Sequence, residues 1–271
     1  MTSFICPLCQ ASFNRQDKTQ VCENNHHFDI AKEGYLNLLP VQSKSSKNPG
    51  DNKEMMSARR AFLNTGGYLA LAEKVAQTTQ HYLTNVEQAS VLDLGCGEGY
   101  YTALISQQVS SHHICGLDIS KVAIRYAAKR YKNIDFCVAS AYQIPLADES
   151  IDLITRIYAP SKAEELMRVI KKNGYLITVT PAPRHLYQLR EVIYEQVEAH
   201  LQENEAINGF TKIEQINLNY ELIIEQEQQL KDLINMTPFA WKFTQEKLAL
   251  LLTQSNWKIE CDFNIEVFQK N

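Results

Sequence analysis

The sequence lacks any long apolar run, and its N-terminus lacks the features of an export signal. No stretch approaches the roughly 20 apolar residues that a membrane-spanning helix needs. The start MTSFICPLCQ has neither the basic residues nor the apolar core of a signal peptide. These absences predict a cytoplasmic protein without membrane contacts. In a reducing compartment, clustered cysteines bind metal more often than they form disulfides.

An overall excess of positive charge is also absent, which argues weakly against a nucleic-acid ligand. The formal net charge is -4. The charge is uneven, because residues 190–271 carry 7 Lys and Arg against 14 Asp and Glu, whereas residues 1–189 carry 20 against 17. A polyanionic partner is therefore expected to bind the N-terminal two-thirds of the chain.

Three of the seven cysteines lie in a metal-binding pattern. Cys6, Cys9, Cys22 and His26 follow the spacing Cys-x2-Cys-x12-Cys-x3-His. Two short-spaced pairs about a dozen residues apart let two turns converge on one tetrahedral ion. Three thiolates and one imidazole favour zinc. Four protein ligands leave no open position, so the predicted site is structural, with His27 as the alternative to His26.

From residue 89 onwards, candidate strands and helices alternate. The strand candidates are ASVLDLG, HHICGLDIS, IDFCVAS, SIDLITRIY and GYLITVTP. The helix candidates between them include EGYYTALISQQV, KVAIRYAAKRY and SKAEELMRVIK. This alternation predicts an α/β fold, with a mostly parallel sheet and helices on both faces. Residues 54–83 are predicted to be helical with a break at Gly66-Gly67, and the region after 190 helical up to a terminal strand, WKIECDFNIEVFQK.

A glycine-rich turn follows the first strand of this series. VLDLGCGEGYY places Gly95, Gly97 and Gly99 between a strand and a helix. Glycine lets a ligand approach the backbone, and the helix N-terminus offers N–H groups to a carboxylate or phosphate. Asp118 ends the second strand, 23 residues after Gly95, where an acid binds the ribose hydroxyls of an adenosine cofactor. The alternative role for Asp118 is a cap of the helix that starts at Lys121.

The form of this turn resembles motif I of class I S-adenosylmethionine-dependent methyltransferases. The pattern is D-x-G-x-G-x-G, with Asp93 two residues before Gly95. By this resemblance Gly95 and Gly97 line the methionine part of the cofactor, and Asp93 orders the turn. Asp118 then holds the ribose, and Ser140-Ala141 meet the adenine edge. The implied fold is Rossmann-like, preceded by a small N-terminal zinc-binding domain.

Longer motifs make the resemblance specific. CPLC…C…HxFDxAKEGYxNLLPVQ, GDNKEMMSARRAFL, DLGCGEGYYT, LDISKVAIRYAAKRY, RIYAP and PRHL together resemble the 23S ribosomal RNA guanine-N1 methyltransferases. In that family the zinc finger helps to recognise an rRNA hairpin loop, and the enzyme forms homodimers. The resemblance implies methyl transfer from S-adenosylmethionine to N1 of a guanine in a hairpin loop of 23S rRNA.

The same resemblance implies cofactor contacts by Tyr68, Tyr101, Thr102 and His185. Tyrosine rings attract a cationic sulfonium, and Tyr101 and Thr102 open the helix that receives the methionine carboxylate. The alternatives are a packed helix residue for Tyr68 and a helix cap for His185. The segment RIYAPS at the end of the fourth strand holds no carboxylate, so no catalytic base is assigned.

The predicted organisation has three parts. They are a zinc-binding RNA-recognition domain over residues 1–36, a basic linker over 37–60 and a methyltransferase domain over 61–271. Basic side chains of the linker and of the helix after Asp118 are expected to contact RNA phosphates, namely Lys44, Lys47, Lys53, Arg59, Arg60, Lys121, Arg125, Lys129 and Arg130. Two other functions stay open: a methyltransferase of a small metabolite or protein, and a catalytically inactive RNA-binding protein.

Overall fold

The computed structural model describes residues 4–40, 53–194, 196 and 206–271. The predicted phosphate contacts of Lys44 and Lys47 lie outside these residues. In the described part of the chain, a small three-stranded sheet precedes an eight-stranded sheet. None of the described helices is long and apolar enough to cross a membrane.

The small sheet carries the second turn of the predicted metal site, Cys22 to His26, between its second and third strands. Its strands β1 (Phe13–Gln16), β2 (Thr19–Cys22) and β3 (His27–Asp29) pair antiparallel in chain order. The Phe13 and Phe28 rings pack edge to face, with centroids 5.4 Å apart. Strands this short bury little apolar surface, so a bound metal is expected to stabilise this unit.

The large sheet is mostly parallel, as the alternation predicts. Its strands are β4 (Leu36–Asn37), β5 (Ser90–Leu94), β6 (His113–Asp118), β7 (Asp135–Val138), β8 (Ile151–Ile157), β9 (Ile170–Pro181), β10 (Phe210–Ile224) and β11 (Trp257–Lys270). The order across the sheet is β10-β11-β9-β8-β5-β6-β7-β4. Only β11 runs antiparallel to its neighbours, β9 and β10, among the pairs described. The carboxyl ends of the parallel strands meet at one edge, where α/β proteins bind ligands.

Eight described α-helices pack on this sheet. They are α1 (Lys53–Asn64), α2 (Leu69–Leu83), α3 (Tyr100–Gln108), α4 (Lys121–Arg130), α5 (Ala163–Val169), α6 (Tyr187–Ile193), α7 (Glu227–Asn235) and α8 (Gln245–Leu251). The predicted break at Gly66-Gly67 is confirmed, because it separates α1 from α2. Gly66 has a φ of +83°, and a Cβ on Gly67 would lie 2.2 Å from the Phe62 ring.

Both faces of the sheet are apolar, because alternate residues of each strand point to opposite sides. On one face, Ile177 and Val179 of β9 join a core with α2, α6 and α7. On the other face, Leu176 of the same strand joins a core with Leu166 of α5. The fold is therefore the predicted α/β fold, a mostly parallel sheet with helices on both faces, preceded by a small N-terminal unit.

The expected helix after residue 190 is wrong for residues 210–224. They form β10, which pairs with β11 along its length. Ile216, Leu218, Tyr220 and Leu222 alternate with polar residues, a period of two that is typical of a strand. The acidic composition of the region after residue 190 is compatible with a helix. Pairing with the long strand β11 nevertheless makes residues 210–224 a strand.

The N-terminal part of the chain is joined to the large sheet. Strand β4 pairs parallel with β7, with Leu36 opposite Cys137 and Asn37 opposite Val138. Helix α1 begins at Lys53, so the last residues of the segment predicted as a linker are helical. The chain that leaves the zinc-binding unit therefore adds an edge strand beside the last strand of the parallel series.

Candidate functional site

Four predicted metal ligands come together in the small N-terminal unit. The Sγ atoms of Cys6, Cys9 and Cys22 and the Nδ1 atom of His26 all lie within 4.8 Å of one another. Tetrahedral zinc with Zn–S bonds of about 2.3 Å places ligand atoms roughly 3.5–4 Å apart. The Cys9–Cys22 sulfur separation is 3.6 Å, and His26 Nδ1 lies 3.3 Å from Cys22 Sγ. The donor set and its spacing fit zinc.

His26, not His27, faces the sulfur cluster. The His27 ring is exposed, and its Nε2 lies 3.0 Å from the Asn25 side-chain oxygen. In the chain without metal, a hydrogen bond from the Asn24 side chain lowers the pKa of Cys9 to about 6. Burial raises the pKa of Cys6 to about 11. Since thiolates are the ligands, zinc must displace the Cys6 proton when it binds.

The other thiols do not contribute to this cluster. Cys96, Cys115, Cys137 and Cys261 are buried in the large sheet and its first turn. Burial raises the pKa of each of these thiols. They are protonated and enclosed, as is typical of inert buried cysteines.

The glycine turn lies at the carboxyl edge of the sheet, between β5 and α3. Gly95, Gly97 and Gly99 have φ values of +78°, +55° and +79°. A Cβ on Gly95 would lie 2.3 Å from the Cβ of Ala159, which follows β8. A Cβ on Gly97 would meet no described atom within 4 Å. Gly95 is therefore required by packing, whereas Gly97 leaves the turn open for a ligand to approach its backbone.

Asp118 holds this turn against the next helix. Its Oδ2 accepts a 3.0 Å hydrogen bond from the Gly97 N–H, and its Oδ1 accepts one of 2.7 Å from the Ser120 N–H. The N-cap of α4 is Ser120, whose hydroxyl accepts from the Ala123 N–H. The alternative role of Asp118 as the cap of this helix is therefore wrong. The carboxylate lies at the end of β6, where an adenosine ribose binds in this fold.

Asp93 and Thr102 stabilise the glycine turn through a buried hydrogen bond between β5 and α3. The Asp93 carboxylate is buried and accepts hydrogen bonds from the hydroxyls of Thr102, at 2.5 Å, and Thr155, at 3.0 Å. Because the Thr102 hydroxyl is bonded to Asp93, a cofactor contact by Thr102 has to use its backbone N–H at the start of α3. Burial raises the pKa of Asp93 to about 6.

This raised pKa predicts a pH dependence of stability that Asp93→Asn removes. The native state holds the Asp93 proton more tightly than the unfolded chain does, because the pKa of the Asp93 carboxyl is near 3.8 when the chain is unfolded. The free energy of unfolding therefore falls as pH rises from about 4 through about 6. Between pH 4 and pH 7 the free energy of unfolding of the parent should fall by about 2–3 kcal/mol more than that of Asp93→Asn. Urea denaturation of both proteins at several pH values measures this, and parallel stability profiles would contradict it.

Tyr68 and His185 lie in a buried aromatic cluster beside the same edge of the sheet. The Tyr68 hydroxyl lies 3.3 Å from His185 Nε2, and the Asp262 N–H donates to His185 Nδ1. Since Nδ1 accepts, a neutral His185 carries its proton on Nε2, towards Tyr68. The rings of both residues contact Phe263, with centroids 5.1 Å and 4.6 Å from it. His185 does not cap α6, whose N-cap is Leu186.

Tyr101 lies near this cluster, as do three residues that were not predicted from the sequence as site residues, Tyr158, Tyr220 and Phe263. Burial and the nearby Cys261, Tyr158, Tyr101 and Tyr220 raise the pKa of Tyr68. The Tyr220 hydroxyl donates to the Gly67 carbonyl at 2.8 Å. The signal for two of these residues was present, because the motif RIYAP contains Tyr158 and the predicted terminal strand WKIECDFNIEVFQK contains Phe263. Tyr220 lies in β10, where a helix was expected.

The end of β8 and the segment that follows it carry a buried cation and no carboxylate. Arg156 is buried and donates to the Ser161 hydroxyl at 2.9 Å. It pairs with Leu94 of β5 in the sheet, directly before the glycine turn. This arrangement agrees with the absence of an acidic residue from RIYAPS, and a catalytic base stays unassigned.

The zinc-binding unit contacts the loop that follows β7. The Ile5 N–H donates to the Pro145 carbonyl at 3.0 Å, and the Gln143 side chain donates to the Pro7 carbonyl at 3.0 Å. Pro7 lies between the first two metal ligands, and Gln143 follows the predicted adenine-contacting pair Ser140-Ala141 by two residues. The first metal-binding turn is thus in direct contact with the predicted cofactor-binding edge.

Comparison with known proteins assigns both parts of the chain. Residues 4–47 match a zinc-ribbon family model described as RlmA, N-terminal, and residues 85–249 match one described as Methyltransferase domain. The 23S rRNA (guanine(748)-N(1))-methyltransferase of Streptomyces fradiae is 30% identical over 250 residues, covering 90% of this chain and 88% of that protein. YxjB of Bacillus subtilis (strain 168), named as a 23S rRNA (guanine-N(1)-)-methyltransferase, is 30% identical over 278 residues, covering 98% and 97%.

The sheet order, the glycine turn and the acid at the end of β6 define a class I S-adenosylmethionine-dependent methyltransferase. Its cofactors are S-adenosylmethionine and zinc. With similarity to these relatives over nearly its whole length, the chain belongs to the 23S rRNA (guanine-N1)-methyltransferase family.

Proposed function

We propose that this protein transfers a methyl group from S-adenosylmethionine to N1 of a guanine in a hairpin loop of 23S rRNA. The observation that carries the proposal is the contact between the zinc ribbon and the loop after β7. A ribbon in that position holds an RNA-recognition surface beside the predicted cofactor edge. Relatives at 30% identity over most of the chain carry the same activity in their names.

The residues that face the predicted cofactor site have distinct roles in this reaction. When bound, S-adenosylmethionine supplies the methyl group. Asp118 binds the ribose, the open backbone at Gly97 admits the methionine part, and the first amides of α3 bind its carboxylate. Tyr68, Tyr101 and His185 form an aromatic wall that excludes water and attracts the sulfonium cation.

The choice of a ring nitrogen constrains the substrate. Guanine N1 lies on the Watson–Crick edge, so the base must be unpaired or turned out of its stack. Hairpin loops present such bases, and proteins recognise them by stacking and hydrogen bonding. A loop substrate therefore suits a site that lies in the open edge of a sheet.

A basic cleft beside the glycine turn supports RNA binding. Arg60 of α1 and Lys129 and Arg130 of α4 line this cleft together with Glu98 and Tyr126. The Arg60 guanidinium lies 4.3 Å from the centre of the Tyr126 ring. Burial raises the pKa of Glu98 to about 7, so this acid offsets less than a full charge near neutral pH. The cleft is therefore suited to a phosphate of the RNA backbone.

Two other basic residues that were expected to bind phosphate have different surroundings. Arg125 donates to the Glu33 carboxylate at 2.8 Å and is thereby tied to the N-terminal part of the chain. Arg59 interacts electrostatically with Glu98, as Arg60 does, but it is not among the residues that line the cleft. We place the phosphate contact at Arg60 and Lys129 for this reason.

Replacing Arg60 and Lys129 by alanine together should weaken RNA binding and reduce its salt dependence. Each phosphate contact contributes about 0.7–0.9 to the slope of log K against log salt. The double variant should therefore lower the slope by roughly 1.5 units without changing the affinity for S-adenosylmethionine. Filter binding of a 23S rRNA transcript over a salt series measures both affinity and slope.

The matched control removes two lysines from the acidic part of the chain. Lys231→Ala with Lys258→Ala removes the same charge from α7 and β11, where these lysines pair with Glu227 and Glu221. This control should bind RNA with nearly the parent slope. An equal loss of slope in the two double variants would show that only net charge matters.

The test of the proposed reaction is methyl transfer to an unmodified 23S rRNA transcript. We expect label from methyl-labelled S-adenosylmethionine to appear in RNA as N1-methylguanosine, identified by nuclease digestion and chromatography. Because N1 methylation blocks base pairing, reverse transcription should stop at one loop guanine. Asp118→Ala serves as the cofactor-binding control and should lose the label.

The same experiment distinguishes the alternatives. Label in a protein or metabolite fraction, with none in rRNA, would indicate a different methyl acceptor. RNA binding without cofactor binding or methyl transfer would indicate an inactive RNA-binding protein. Either result would overturn the proposal.

We further propose that the enzyme acts as a homodimer in the cytoplasm, with residues 1–36 as the RNA-recognition domain. The support for the dimer is the family resemblance, and the support for the compartment is the rRNA substrate of the named relatives. Sedimentation equilibrium should give the mass of two chains.

A further inference from the structure

Tyr158 has a backbone conformation that bulky residues rarely adopt. It follows β8 directly and has a φ of +54°, in the left-handed region. Such outliers persist only where the surrounding structure fixes them, and they cluster at functional sites. Here the Tyr158 N–H donates to the Val179 carbonyl of β9 at 3.2 Å. The neighbouring strand therefore holds the residue in its strained conformation.

The position of Tyr158 places its ring at the cofactor edge. The next residue, Ala159, packs against Gly95 so closely that a Cβ there would lie 2.3 Å away. The Tyr158 ring lies 6.3 Å from His185 and 6.5 Å from Phe263, between centroids. The residue thus connects the first glycine of the turn with the aromatic cluster.

Tyr158 is also an exposed residue, in contrast to Tyr68 and His185, although burial of its hydroxyl raises the pKa of that group. Tyr158 is 48% exposed, whereas Tyr68 and His185 are buried. Two other exposed tyrosines of the described chain have a cation over the ring, Arg60 at Tyr126 and Lys162 at Tyr142. Tyr158 instead has aromatic neighbours on its inner side and a solvent-exposed surface. An apolar surface that is held rigidly at a cofactor edge is suited to a flat ligand.

We propose that the Tyr158 ring is the stacking platform for the target guanine and holds its N1 edge towards the cofactor site. This inference rests on the proposed function, since it names the residue that binds the acceptor base. A base that is turned out of an RNA loop loses its stacking partners, and aromatic side chains replace them. The left-handed turn fixes the direction of the ring before the base arrives, which limits the entropy lost on binding.

The test compares side chains that keep an aromatic ring with side chains that remove it. Tyr158→Phe and Tyr158→Trp keep a ring, whereas Tyr158→Leu removes it and retains an apolar group. Tyr158→Gly also removes the ring and suits the positive φ, so it separates stacking from folding. The readouts are kcat/KM for methyl transfer to a 23S rRNA transcript, calorimetric affinity for S-adenosylmethionine and melting temperature.

We expect Phe and Trp to keep kcat/KM within about 3-fold of the parent, and Leu and Gly to lower it by about 10- to 100-fold, the range of one base–aromatic stack. Affinity for S-adenosylmethionine should stay unchanged in all four variants. If the Tyr158→Leu variant is as active as the Tyr158→Phe variant, the ring does not stack on the base and the inference is wrong. It is also wrong if Leu and Gly weaken cofactor affinity by the same factor as kcat/KM. A parent protein that does not methylate 23S rRNA would instead overturn the proposed function, and this inference with it.

Discussion

Replacing His26 by alanine is expected to release zinc and unfold the N-terminal unit. His26 Nδ1 lies within 3.5 Å of the Cys6 and Cys22 sulfurs, so its loss opens the predicted tetrahedral site. In small zinc domains metal binding supplies about 10–16 kcal/mol of folding free energy at neutral pH. Metal analysis after dialysis should give one zinc per parent chain and far less for the variant. Limited proteolysis should cut the variant between residues 4 and 36.

The adjacent histidine supplies the matched control for this experiment. His27→Ala changes the same residue type one position along the chain, but the His27 ring is exposed and bonded to Asn25. This variant should keep its zinc and its protease resistance. Full zinc occupancy in His26→Ala, or equal loss in both variants, would show that the ligand set is different. Cofactor affinity should be unchanged in His27→Ala and should fall only modestly in His26→Ala, because the ribbon contacts the loop after β7 that carries the predicted adenine-contacting pair but lies away from the glycine turn.

Gly95→Ala is expected to destabilise the whole methyltransferase fold. The new methyl group would lie 2.3 Å from the Ala159 Cβ, and the φ of +78° disfavours any side chain. Overpacking and backbone strain together should lower the free energy of unfolding by about 2–4 kcal/mol. Urea denaturation measures this loss. The methyl group would separate β5 from the segment after β8, so cofactor binding should also fail.

Gly97→Ala is the control that separates packing from ligand access. Its φ of +55° lies in the left-handed region, and a Cβ there meets no described atom within 4 Å. The stability cost should be only about 1–2 kcal/mol. The added methyl group faces the open side of the turn, so affinity for S-adenosylmethionine should fall by more than the stability change suggests. Equal destabilisation by the two substitutions would contradict the packing role of Gly95.

Local patterns in the sequence were sufficient for several features of this protein. The Cys-x2-Cys-x12-Cys-x3-His spacing predicts the ligand cluster, because chain geometry limits how two short-spaced pairs can meet. The alternation of strands and helices predicts a parallel sheet, because each crossover needs a covering helix. The glycine turn and Asp118 lie at strand ends that are readable from hydrophobic runs, so their meeting at one edge follows from the topology.

Contacts between distant segments could not be read in this way. The choice of His26 over His27 depends on which ring the second turn directs at the cysteines. Strand β10 forms because β11 offers a long partner, although its own acidic sequence is compatible with a helix. The hydroxyl of Thr102 binds the buried Asp93 rather than facing a ligand, because Asp93 needs donors inside the protein.

The aromatic cluster was decided by tertiary structure alone. Tyr68, Tyr158, His185 and Phe263 come from four separate segments, and only packing at the carboxyl edge of the sheet brings their rings together. The position of the zinc ribbon also depends on tertiary structure. Hydrogen bonds of Ile5 and Pro7 with the loop after β7 join segments that lie more than a hundred residues apart in the sequence. The sequence by itself determined the cysteine cluster, the parallel series of strands and the glycine turn, because each is visible in a local pattern of spacing or hydrophobicity. Where these parts meet depends on the packing of the whole chain.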